Sequence, residues 1–195
     1  MTAVGVIFSS MNEENIPELS NNRTMASVPF GGRYRMIDFA LSNMVNAGIT
    51  TVGLMTKTNY QSLIDHVGSG KEWDLARKDG GMILLPPYVD QNETVVNTRL
   101  EALKGIIGFL QRRKEDNVVL CDCDGVARFD IQEILNFHDK KGADITMVTH
   151  NHSIVKTHYY ITLKSDKEGR VNELRINPPA KGKADVYVNV MVINR

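Results

Sequence analysis

The chain has 195 residues, and its 23 Lys+Arg are matched by 23 Asp+Glu, so its formal net charge at neutral pH is zero. That balance excludes a protein that binds nucleic acid or a membrane surface through bulk positive charge. A content of 42% hydrophobic and 24% charged residues excludes a disordered chain.

The first apolar run, Ala3–Phe8, reads as a strand. A helix is expected over 34–47, where Met36, Ile37, Phe39, Ala40, Leu41, Met44 and Val45 follow helical spacing and Gly48 supplies a left-handed cap. Next come a strand at Thr51–Met55, a helix over 60–67, and a helix over 98–114 with Leu100, Leu103, Ile106, Ile107 and Leu110 on one face. A strand over 117–121, a helix over 131–141 closed by Gly142, and a strand over 144–148 continue the alternation. The strand runs are continuously apolar, as in a parallel sheet covered on both faces, so the pattern is α/β. The last third changes character. Residues 159–163 and 170–176 flank a turn over 164–169 as an antiparallel hairpin, and 186–193 form a final strand. The expectation is one domain over 1–195, incomplete at its C-terminal end.

Several residues invite a chemical reading. Cys121 and Cys123 are expected to be reduced thiols; a zinc site would have to draw on Asp122, Asp124 and His138. His66, His138, His150, His152 and His158 form no helical metal pair, and His150 and His152 read as a loop pair. Met44, Met55 and Met82 read as packing residues. Trp73 is either a partner contact or a half-buried residue. The apolar runs fall short of the roughly 20 residues that cross a bilayer. No Lys or Arg precedes Arg23 and there is no long apolar segment of signal-peptide type, so the expected location is the cytoplasm.

The run Val28-Pro-Phe-Gly-Gly-Arg-Tyr-Arg-Met-Ile-Asp-Phe-Ala-Leu-Ser-Asn-Met-Val-Asn-Ala-Gly-Ile49, followed by His66-Val-Gly-Ser-Gly-Lys-Glu-Trp-Asp-Leu75, closely resembles the glucose-1-phosphate adenylyltransferase (ADP-glucose pyrophosphorylase) family. The resemblance covers residues 3–193. It implies a Rossmann-like nucleotidyltransferase domain with a mostly parallel central sheet. It also implies transfer of AMP from ATP to glucose 1-phosphate with release of pyrophosphate, assisted by Mg²⁺. That chemistry needs a phosphate-cradling loop, cations and metal-holding carboxylates.

Against the family pattern the reaction machinery is depleted. The glycine-rich phosphate loop is replaced by Phe8-Ser-Ser-Met-Asn-Glu-Glu-Asn15, where only a cradle built on Ser9 and Ser10 is conceivable and Glu13 and Glu14 add negative charge. The family's lysine aligns with Met25, while Arg23 is kept as a possible phosphate contact. The family's Gly-Thr-Ala-Asp-Ala stretch corresponds to residues 95–102 without its glycine or acid, and Gln91 has no secure counterpart. Asp124 stands at the metal aspartate after the central strand, with Gly125 and Ala127 in place of the family's His and Tyr. The family's Glu-Lys-Pro becomes Ile176-Asn-Pro178, so Asn177 replaces an ammonium that faces phosphate.

The pattern resembles the D-type, largely non-catalytic subunit that accompanies a catalytic subunit in some Gram-positive bacteria. The resemblance therefore implies a catalytically deficient regulatory or assembly partner in a hetero-oligomer, expected to be a tetramer. Family members continue into a C-terminal left-handed β-helix that is absent from this chain. Two other readings stay open: an active adenylyltransferase with an altered phosphate loop, or a sensor of a sugar phosphate or nucleotide effector using Arg33, Arg35 and Lys71.

Overall fold

The computed structural model describes residues 2–9, 16–56, 58–86, 98–155, 159–179 and 182–195. Strand β1 (Ala3–Phe8) is followed by the short helix α1 (Pro17–Ser20), a 3₁₀ turn at Met25–Ser27, a small ribbon of β2 (Pro29–Phe30) and β3 (Tyr34–Arg35), and helix α2 (Met36–Asn46). Then come β4 (Thr51–Met55), α3 (Gln61–Val67), β5 (Gly81–Leu85), α4 (Arg99–Gly105), α5 (Ile107–Gln111) and β6 (Asn117–Asp122). The remainder is α6 (Ile131–Lys141), β7 (Ile145–Ser153), β8 (Ile161–Ser165), β9 (Val171–Ile176) and β10 (Lys183–Asn194).

Eight strands form one sheet in the order β5-β4-β1-β6-β10-β8-β9, with β7 also paired to β10. Neighbours from β5 to β6 are parallel. Strand β10 is antiparallel to β6, β7 and β8, and β8 and β9 make the antiparallel hairpin. The fold is thus α/β with a parallel centre, and no β-helix occurs among the described residues. None of the helices described is long and apolar enough to cross a membrane.

Apolar residues bury both faces of the parallel strands. Ile7, Val52, Leu54, Val119 and Cys121 share one core layer with Ile37, Leu41 and Met44 of α2, Leu63 of α3 and Leu135 of α6. Val4, Val6, Phe8, Val118 and Leu120 face the other way, onto Ala102, Ile106, Phe109 and Leu110 of the α4–α5 region. Burying one such side chain fully stabilises the fold by roughly 1.5–3 kcal/mol.

Both long helices end as the sequence indicates. After α2, Gly48 adopts φ +75° while Gly48 N donates to Val45 O and Ile49 N to Met44 O. After α6, Gly142 adopts φ +56° with the matching pair of bonds, Gly142 N to Asp139 O and Ala143 N to His138 O. A left-handed residue at this position satisfies carbonyls that the helix leaves unpaired.

The helix expected over 34–47 starts at Met36, because Tyr34 and Arg35 pair with Phe30 and Pro29. The helix expected over 98–114 is two helices broken at Ile106, flanked by Gly105 and Gly108, whose missing side chains weaken a helix interior. Leu100 and Ile107 are 71% and 54% exposed, yet they line one groove with Leu103 and Leu110. Strand β5 is an element that the sequence reading did not include, and β7 extends to Ser153 because β10 pairs with it over Lys183–Tyr187. His150 and His152 accordingly lie within β7.

Candidate functional site

In open α/β sheets, ligands bind beyond the carboxyl ends of the parallel strands. Here that edge consists of Phe8 and Ser9 at the end of β1, Met55 and Thr56 at the end of β4, and Asp122, Cys123 and Asp124 at the end of β6. It is closely sewn. Ser9 N donates to Met55 O at 3.1 Å, Ala26 N to Ser9 O at 3.1 Å, and Cys123 Sγ to the same Ser9 carbonyl at 3.4 Å. Ser9 is 1% exposed, so its backbone serves the fold. Ser10, Glu13, Glu14 and Gln91 lie outside the described residues.

Met25 sits in the 3₁₀ turn at this edge, 6% exposed, and packs in the α2 core layer beside Ala26 and Val28. Arg23, two residues earlier, is half-buried. Arg33 is exposed at the tip of the β2–β3 ribbon, and Lys71 is exposed in the 3₁₀ turn at Lys71–Trp73. Arg35 faces α3: its Nη1 donates to Ser62 O at 2.6 Å and to Ser62 Oγ at 2.7 Å.

The retained run around α2 is mainly scaffolding. Asp38 accepts Arg35 N at 3.0 Å on one carboxylate oxygen and meets His66 Nε2 at 2.6 Å on the other. Trp73 is half-buried, edge-on to His66, with Nε1 donating to Ser42 Oγ at 3.4 Å. Asn43 holds the loop after β6 by donating to Ala127 O at 2.9 Å and accepting from Phe129 N at 3.1 Å. Through this last contact the framework helix positions the segment that carries Asp124.

Asp124 is half-buried one residue beyond Cys123. Its neighbour by charge is Asp122 paired with Arg99, of which the sequence singles out only Asp122, as a metal candidate. Arg99 Nε donates to Asp122 Oδ1 at 3.0 Å and Nη2 to Asp122 Oδ2, the bidentate arrangement a planar guanidinium favours. The Asp122 side chain is 3% exposed and that of Arg99 29%. Burial pushes the Asp122 carboxyl up to about 6, opposed by the hydrogen bond and charge of Arg99 and reinforced by Asp124. Burial would weaken Arg99 as a cation, but Asp122 outweighs that and holds it charged. Tyr187 of β10 is 8% exposed, and burial pushes its hydroxyl up while Arg99 pulls it back. Cys121 and Cys123 are free and buried, their thiols pushed up by desolvation, so neither is poised as a nucleophile.

Both Asp122 oxygens are engaged by Arg99, and the described residues contain no group of three or more His, Cys, Asp or Glu able to hold a metal. His138, considered for zinc, is buried with its two ring nitrogens bonded to Thr146 Oγ1 at 2.8 Å and Asn194 Oδ1 at 2.9 Å. Asn177 closes the end of the hairpin, donating from its backbone N to Tyr160 O and accepting Tyr160 N on its side chain. At the opposite, amino ends of the parallel strands lies a cavity of about 790 Å³ whose lining includes Lys78, Arg112 and Arg113.

The Arg99–Asp122 pair escapes a linear reading because its members lie 23 residues apart, on α4 and β6 with α5 between them. A local signal did exist for the start of α4. Thr98 and Glu101 form a reciprocal capping box, a pattern visible as Thr-x-x-Glu, and it places Arg99 in the first helical position.

A family profile described as nucleotidyl transferase matches residues 14–189. The glucose-1-phosphate adenylyltransferase of Thermotoga neapolitana is 32% identical over 192 residues, which cover 98% of this chain and 45% of that protein. The glycogen biosynthesis protein GlgD of Geobacillus stearothermophilus is 39% identical over 149 residues, covering 75% of this chain and 43% of the relative. GlgD of Bacillus subtilis is 35% identical over 145 residues, covering 74% and 42%. The chain thus spans less than half the length of these relatives.

Proposed function

Because the chain belongs to the nucleotidyl transferase family, we propose that it is a catalytically deficient subunit of a glucose-1-phosphate adenylyltransferase of glycogen synthesis. It acts as a regulatory or assembly partner of a catalytic subunit in a hetero-oligomer, expected to be a tetramer. Similarity to proteins of both names, glucose-1-phosphate adenylyltransferase and GlgD, supports the pathway. Two buried free thiols fit a reducing, cytoplasmic setting.

The observation that carries the reading is the state of the carboxyl-end edge. Phosphoryl transfer needs cations aimed at the charge that develops on the phosphoryl group. Met25, at the position of the family's lysine, is a core residue, and Arg99 is closed on Asp122. Asp124 keeps its place after β6, and the described residues hold no group of three or more His, Cys, Asp or Glu placed for a metal.

The test is the initial rate of ADP-glucose formation from ATP and glucose 1-phosphate with Mg²⁺. A full-length version of the chain is assayed alone and mixed with a catalytic subunit at fixed concentration. The expected result is no turnover alone and a changed rate or effector response in the mixture. Turnover by the chain alone sinks the proposal in favour of an active adenylyltransferase. Saturable sugar-phosphate binding with no effect on a catalytic subunit sinks it in favour of a sensor.

A further inference from the structure

Asp122 ends β6 directly beside Phe8, the last residue of β1, on the edge where an open parallel sheet receives its ligand. Arg99 reaches this edge from the first position of α4, and its fork closes on the carboxylate through two parallel hydrogen bonds. A carboxylate presents a guanidinium with the same two-oxygen edge that a phosphate does. Tyr187 adds cover from β10, next to the irregular register between Tyr187 and Met191.

The burial of the two partners is unequal. With 3% of its side chain exposed, Asp122 cannot be resolvated if Arg99 turns away, whereas the Arg99 side chain is 29% exposed. An incoming phosphate that takes Arg99 must strand a buried carboxylate, so exchange is opposed by the burial of Asp122 as well as by the ion pair itself. Asp124 adds a negative charge to the same neighbourhood. Of the other cations considered for phosphate, Arg35 is held on Ser62 and Arg33 stands at the exposed tip of the ribbon.

We infer that Asp122 is an internal stand-in for a phosphoryl group, a lock that occupies Arg99 and keeps the carboxyl-end crevice from binding a nucleoside triphosphate. The inference rests on the partner-subunit reading and gives it a physical device. Arg99 is then a latent phosphate-binding residue, and Asp122 decides whether it is available.

The experiment is a titration of full-length protein with a fluorescent N-methylanthraniloyl ATP, with and without Mg²⁺, alongside a thermal melt of each variant. In Asp122→Asn the amide keeps the shape but loses the charge, so this variant is expected to bind at least about tenfold more tightly than the wild type. The double variant Arg99→Met with Asp122→Asn is expected to lose that gain, because Arg99 is the group released. Should Asp122→Asn fail to melt cooperatively, Arg99→Lys decides: a lysine keeps the charge but cannot form the fork, and it is expected to bind about threefold or more tightly than wild type. No gain in either single variant that remains folded overturns the lock, as does micromolar binding by the wild type. Turnover by the wild type strikes the partner-subunit reading; an inactive wild type whose folded variants gain no affinity strikes the lock alone.

Discussion

The parallel and antiparallel parts of the sheet are built from similar apolar runs but differ in what covers them. Strands β4 and β6 are buried at every residue and β1 at all but its first, sandwiched between α2, α3 and α6 on one side and the α4–α5 region on the other. Strand β7 carries Ile145, Met147 and Val148, yet it has no fully buried residue, and Ile145 is 60% exposed. In β9, Val171, Leu174 and Ile176 are likewise exposed. An apolar strand sequence declares a preference for burial; whether it is buried depends on which helices the chain lays over it.

That contrast yields graded expectations. Removing core volume from the parallel part has the largest effect: Leu54→Ala, at a fully buried site in β4, is expected to destabilise by about 2–5 kcal/mol in urea titration. A loss below about 1 kcal/mol breaks the claim that the parallel layer carries the stability. Met25→Lys places an ammonium where a thioether now packs, and is expected to lower stability by about 2–4 kcal/mol while restoring no turnover. If the variant is as stable as wild type and turns over, Met25 is a surface position facing the substrate and its core assignment fails.

The carboxyl-end pair comes next, and its two members should respond unequally. Arg99→Met leaves the buried Asp122 uncompensated and is expected to destabilise by about 3 kcal/mol, whereas Asp122→Asn, which leaves the more exposed Arg99, loses about 1 kcal/mol. Equal losses, read by thermal or urea unfolding, remove the asymmetry on which the proposed lock depends. Smallest is Leu174→Ala in β9, where 49% of the residue is already exposed; the expected change is within about 0.5 kcal/mol. A larger loss means that this face is covered in solution, and it would narrow the contrast between the two halves of the sheet.

The sequence alone determined the alternation of strands and helices, the caps at Gly48 and Gly142 and the family resemblance. Those features follow from local rules: continuous apolar runs, helical spacing, and backbone angles that glycine adopts readily. It also marked the missing glycine loop and the substitution at Met25, which are differences of residue type at aligned positions. Only the tertiary structure decided that Met25 belongs to the core, that Arg35 is held on α3, that Asn43 positions the loop after β6, and that Arg99 and Asp122 form one unit. The break at Ile106, the strand β5 and the extension of β7 were also settled there, by packing on the sheet and by pairing with distant strands. A charge reveals its role only through what it touches, and here those contacts are made across elements far apart in the chain.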